Sequence, residues 1–190
     1  MIRTNNFGWK LTHVLCIMAH LGLVVAAGVV YIYNMAKQSE RMTEKCSNID
    51  LTSTDSLPCS LALVSGYGNF GSIDLLLHTL LVSCLSVGIM GLVISMASFA
   101  TLMAVEPTKV ALTEGEQHWR KQVVTLFSCI FNIILAGAGL GLAAALGLRV
   151  SNSRSLITPL VFAAIQAPMC IATALYDAIK NRRDGRDLLD

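Results

Sequence analysis

Apolar residues gather in four long runs: Leu11–Met35, Leu75–Val105, Val123–Leu148 and Leu156–Ile179. Charged residues are confined almost entirely to the short segments between and outside them. A helix needs roughly 20 apolar residues, at about 1.5 Å each, to cross about 30 Å of hydrocarbon. Every run meets that length. The pattern predicts an all-α fold, a four-transmembrane-helix antiparallel bundle forming one domain over residues 1–190. The helices are expected at about 11–35, 75–105, 114–148 and 156–180, with a larger outer loop at 36–73 and a tail at 181–190.

Local signals refine the ends. Thr113-Glu114-Gly115-Glu116 is a capping box, which starts the third helix near Glu114, ahead of its apolar run. Glu106-Pro107 closes the second. Arg149–Ser155 is barely a turn, so the third and fourth helices form a tight hairpin. Lys37–Lys45 mixes charges at helical spacing, which extends the first helix past the bilayer. Ser47–Pro58 reads as irregular loop, followed by the short apolar run Leu61–Val64. Gly66-Tyr67-Gly68 shares three residues with a potassium filter but lacks the rest of that pattern, and reads as flexible loop.

Composition agrees with the pattern. Hydrophobic residues make up 54% and charged residues 14%, and the mean hydropathy is +0.63. A soluble domain carries about 25% charged residues. No polar stretch is long enough to bury a soluble core. A net charge of +2 gives no reason to expect nucleic acid as a partner. The first run exceeds the roughly 7–15 residues of a signal-peptide core and no processing site follows it, so it reads as a retained helix.

Nine basic residues fall on the side of the termini and five on the other, which places both termini in the cytosol. Trp9 and Trp119 suit the inner interface, and Tyr31 and Tyr33 the outer one. The expectation is a multi-pass protein of the plasma membrane or the endosomal system. Cys46 and Cys59 are the pair of cysteines in a polar segment, and that segment faces the oxidising side. A disulfide between them closes a loop of about 14 residues and contributes on the order of 3 kcal/mol. Free thiols or zinc ligands are the alternatives. Cys16, Cys84, Cys129 and Cys170 lie in the apolar runs and read as small apolar packers.

Within the membrane, Gly137 and Gly141 form a GxxxG pair, and Ala143 with Gly147 continues the spacing. Such a face lets another helix approach closely, whether from this bundle or from a partner. His20, Ser86, Asn132 and Gln166 fall near one depth, estimated at about 1.5 Å per residue. They read as a midplane polar layer, either hydrogen-bonding glue or a proton or ion path. Pro168 predicts a kink beside Gln166. Asp74 and His78 share a helical face, but His20 lies about 12 Å away in depth, so no three-ligand metal site is expected there. The sequence lacks catalytic motifs of the Ser/His/Asp, HExxH, P-loop or CxxC kind, and reads as non-catalytic and without a cofactor.

The tail's Lys180, Arg182, Arg183 and Arg186 suit anionic lipid or ordinary positive-inside flanking. Asp184, Leu188 and Leu189 match an acidic dileucine pattern and so resemble an endosomal sorting signal. Tyr176-Asp177-Ala178-Ile179 resembles a tyrosine sorting signal placed within the helix end.

The layout resembles the claudin-like tetraspan group: inner termini, a large first outer loop with two cysteines, a small second loop and a basic tail. The Trp and Gly-Leu-Trp residues of the claudin loop have no counterpart here. The resemblance implies a non-catalytic protein acting through contacts, as an auxiliary subunit of a channel or receptor or as an adhesion component. Its expected partners are membrane lipids and another membrane protein or a second copy. A small channel or transporter using the midplane layer is the alternative.

Overall fold

The computed structural model describes residues 6–47, 72–105, 114–150 and 154–186. These form α1 (Asn6–Ser47), α2 (Ser72–Val105), α3 (Glu114–Val150), a 3-10 turn (Arg154–Leu156) and α4 (Ile157–Arg186). Among the described residues there is no strand. In lipid the backbone must satisfy its own hydrogen bonds, and helices do so within each segment. Each helix contains a stretch long and apolar enough to cross a membrane: Lys10–Lys37, Leu76–Thr101, Gln122–Val150 and Arg154–Ile179. The chain is therefore a four-helix, multi-pass membrane bundle.

α3 begins at Glu114, as the capping box predicts. α1 is 42 residues long, about 63 Å at 1.5 Å per residue, twice the hydrocarbon thickness. Its last turns take in Lys37–Ser47, so the first part of the expected outer loop is helix. α4 likewise continues to Arg186, which makes most of the expected tail helical.

The helices pack as a ring, each touching its neighbours in sequence and α1 touching α4. Contacts between α1 and α2 run in opposite senses: Tyr31 meets His78, Gly28 meets Leu85, and His13 meets Phe99. Two glycines permit the closest approaches. A Cβ at Gly88 would lie 3.4 Å from the backbone of His20 and Val24. A Cβ at Gly139 would lie 3.4 Å from the Ala163 carbonyl and 3.6 Å from the Ala167 nitrogen. Small residues at such crossings bring whole backbones into van der Waals contact, the main attraction between helices in lipid.

The Gly137–Gly141–Gly147 face, expected to meet a helix of this bundle or of a partner, is not used for packing within this chain. Gly137, Gly141 and Gly147 are exposed, and a Cβ at any of them meets nothing within 4 Å. Gly139 faces the opposite way and makes the contact to α4. Residues two apart on a helix point about 200° apart, so the spacing is right and the face is wrong for packing within this chain.

The outside is apolar. Val25, Val29, Ile32, Val93, Ile133, Ile134 and Leu148 are all exposed. The interior divides along its length. Toward the loops, Leu23, Ala27, Val30, Leu81, Cys84, Leu142, Leu146, Leu156 and Ala163 form one apolar cluster. Toward the end where α1 begins and α4 finishes, the buried positions are largely polar. This is called the terminal end below.

Candidate functional site

Three helices turn a polar stripe inward at the terminal end. α1 contributes His13, Cys16 and His20, spaced three and four residues apart on one face. α3 contributes Thr125, Ser128 and Asn132 with the same spacing. α4 contributes Gln166, Cys170, Thr173 and Asp177. α2 contributes mainly room: Gly88, Gly91 and Ser95 line its inner face. All of these are buried.

The stripes join into one lane. At its terminal end, called the mouth below, His13 Nε2 lies 3.0 Å from Asp177 Oδ1, with both side chains buried at 1% exposed. The second carboxylate oxygen, Oδ2, accepts a hydrogen bond from Ser128 Oγ at 2.8 Å. Asn132 Nδ2 donates to the Ser128 carbonyl at 2.8 Å and to Ser128 Oγ at 3.3 Å. Its Oδ1 faces Cys16 Sγ across the bundle at 3.8 Å. Cys16 Sγ then lies 3.6 Å from His20 Nε2, 3.8 Å from Cys170 Sγ and 3.9 Å from Ser95 Oγ. The triangle closes with Cys170 Sγ 3.7 Å from His20 Nε2. From Asp177 to Cys170 is seven residues, about 10 Å of depth.

Space for this centre is built in. A Cβ at Gly91 would collide with the His20 ring. Gln166 is fully buried beside Gly139, and neither its Oε1 nor its Nε2 has a hydrogen-bond partner among the described residues. A buried amide in lipid costs free energy until both ends are paired. Thr173 Oγ1 donates to the Met169 carbonyl in its own helix at 2.9 Å.

Of the expected midplane layer, His20 and Asn132 both face Cys16, and Gln166 is buried beside Gly139. Ser86 is not. It is exposed and donates to the Val82 carbonyl at 2.9 Å, satisfying itself on the preceding turn. The interior serine of α2 is Ser95. Cys84 packs in the apolar cluster toward the loops, and Cys16 and Cys170 pack with Leu135 and Ala136 in a second, smaller one, as expected of small apolar packers, but their thiols also face the polar groups of the centre. All four described cysteines are free thiols. His20 has three-ligand geometry with Cys16 and Cys170, partners that the sequence reading did not consider. Asp177 and His13, which carry the mouth, were also missed. The signal lay in the repeat of polar positions three and four apart on α1, α3 and α4.

Other expected features lie elsewhere. Pro168 is exposed within an unbroken α4, on the side away from the lane. His78 packs against Tyr31 with the rings tilted by 45° and their centres 5.1 Å apart, while the side chain of Asp74 lies outside the described residues. Trp119 is exposed, as an interfacial anchor requires. The Cys46 side chain, Cys59 and Gly66-Tyr67-Gly68 also lie outside the described residues, so the loop disulfide cannot be placed. Asp184 falls in the last turn of α4, and Leu188 and Leu189 lie outside the described residues.

The chain matches no protein-family model, no curated protein and no solved structure. The reading of its function therefore rests on this geometry.

Proposed function

We propose that the bundle is a small membrane channel or carrier that admits a cation through the polar lane. The observation that carries this is the buried Asp177–His13 pair, linked through Ser128 and Asn132 to Cys16, His20 and Cys170 at mid-depth. Ionisable residues inside a membrane bundle are costly to insert and mark ion or proton paths. A carboxylate at the mouth attracts cations, and the hydroxyl and amide beyond it replace part of a lost hydration shell. On this reading the apolar cluster toward the loops is the barrier in the far half. The nine-to-five distribution of basic residues supports cytosolic termini, with the mouth facing the cytosol. The absence of a catalytic motif in the sequence supports a non-enzymatic role.

Purified protein in liposomes, loaded with either a pH-sensitive or a zinc-sensitive dye, tests the reading. Wild type is expected to pass protons or zinc ions faster than protein-free liposomes under an imposed gradient. Asn132→Leu and Gln166→Leu are each expected to abolish that difference. Wild-type rates equal to those of empty liposomes rule the reading out.

A second reading, a protein acting through contacts, is favoured by a different observation. Gly137, Gly141 and Gly147 present an open small-residue face to lipid, and the layout resembles the claudin-like group. Under it, Gly141→Leu abolishes detergent-resistant association while the monomer still inserts. Unchanged crosslinking of Gly141→Leu removes that face from consideration.

A further inference from the structure

We infer that Cys16, His20 and Cys170 form an intramembrane binding site for a divalent soft metal ion of the zinc class. The inference deepens the cation reading by naming the ion that the lane delivers. Its first support is geometric. A tetrahedral zinc ion with bonds of about 2.3 Å to sulfur and about 2.0–2.1 Å to nitrogen sets its ligands about 3.8 Å apart for sulfur–sulfur and about 3.6 Å apart for sulfur–nitrogen. The three edges here are 3.8, 3.6 and 3.7 Å. The ligand atoms are thus already spaced as one face of a coordination tetrahedron. They come from two helices, with Cys16 and His20 four residues apart on α1 and Cys170 opposite on α4.

The surroundings supply the rest. Asn132 Oδ1 and Ser95 Oγ stand 3.8 and 3.9 Å from Cys16 Sγ, so α3 and α2 each place a neutral oxygen at the edge of the site. Gly91 leaves the His20 ring its position, since any side chain there would displace it. Gln166, fully buried on α4 one turn from Cys170 with both polar atoms unpartnered, supplies a further amide at this depth. Three protein ligands leave the fourth position of a tetrahedral ion to another donor, unlike the four of a closed structural zinc site.

Charge selects the ion. Binding a divalent cation forms two metal–sulfur bonds and one metal–nitrogen bond. Both thiols release their protons toward the terminal end, and neutral His20 contributes the Nε2 lone pair. No electron is transferred. Two thiolates, one imidazole and a divalent ion sum to zero charge, which a low-dielectric interior tolerates. The same ligands around a monovalent copper ion leave one net negative charge. Hard cations such as magnesium or calcium require oxygen ligands and gain little from two sulfurs.

The test uses a full-length background in which Cys46, Cys59 and Cys129 are serine and Cys84, in the apolar cluster, is alanine, purified without chelator, shown by its unfolding transition to be folded, and dialysed against zinc. One zinc per chain is expected by metal analysis. Cobalt substitution is expected to give thiolate-to-metal charge-transfer absorption together with tetrahedral d–d bands. Cys16→Ser, Cys170→Ser and His20→Ala in this background are each expected to weaken zinc binding by more than about a hundredfold, beyond the range typical of losing an outer-shell partner. No zinc at equilibrium in the background protein, or a Cys16–Cys170 disulfide in protein purified under reducing conditions, overturns the site. Because the background protein itself reports stoichiometry and cobalt spectrum, a variant that fails to fold does not decide the outcome. Zinc bound without any flux in liposomes overturns the conduction reading and upholds the site. Flux without zinc binding does the reverse.

Discussion

Asp177→Ala is expected to lower cation flux in liposomes by on the order of a hundredfold or more and to destabilise the bundle by about 3–5 kcal/mol. The second figure is what breaking a buried pair typically costs, because it strands the remaining partner. Here His13 Nε2 and Ser128 Oγ lose their Asp177 partners at 3.0 and 2.8 Å. The first follows by conversion: each 1.36 kcal/mol of lost cation stabilisation at the barrier is about tenfold in rate. The two effects separate in the double variant His13→Leu with Asp177→Leu. Replacing both partners by apolar residues of similar volume is often neutral for stability. Unfolding in detergent should therefore return close to wild type while flux stays low. If flux recovers along with stability, the pair is merely structural and the mouth assignment is wrong.

Leu146→Ala is expected to act in the opposite direction on flux. Leu146 is fully buried in the apolar cluster, among Leu23, Leu81, Leu142 and Leu156. Truncating such a leucine costs about 2–5 kcal/mol, depending on how far the surroundings collapse. It also thins the dry half of the bundle next to the polar centre. Resting leak in liposomes should rise above wild type even as the unfolding midpoint falls. A fall in stability with no rise in leak places the barrier somewhere other than this cluster.

The membrane fold was legible because lipid imposes one requirement on every span, length in apolar residues, and four runs meet it plainly. The start of α3 at Glu114 was legible from its capping residues. The interior was only half legible. Counting residues gives depth, and His20, Asn132 and Gln166, grouped on that ground, are all buried. It does not give the face. Ser86 lies at suitable depth yet points outward, and Ser83 and Thr101 on the same helix also bond to the carbonyl four residues back, at 2.8 and 2.7 Å. Hydroxyl residues that satisfy themselves in this way do not report which side is interior. The glycines of α3 were read as a face for this bundle or for a partner, because small-residue spacing reports a possible approach and not whose helix makes it; within this chain Gly137, Gly141 and Gly147 meet nothing. Asp177 was hidden by its place, two residues before the end of its span at Ile179 and beside the charged tail, where an acid needs no special cause. Cysteine is ambiguous by chemistry, since one side chain serves as a small apolar filler at Cys84 and as a hydrogen-bonding thiol at Cys16.

The lengthwise division of the interior has an electrical corollary. A transmembrane voltage falls mainly across whatever is least polarisable, at about 2.3 kcal/mol per elementary charge for 100 mV in full. In this bundle the least polarisable layer is the leucine-lined half. Under the proposed conduction reading, the largest share of the voltage then acts on the last step, past Leu23 and Leu146.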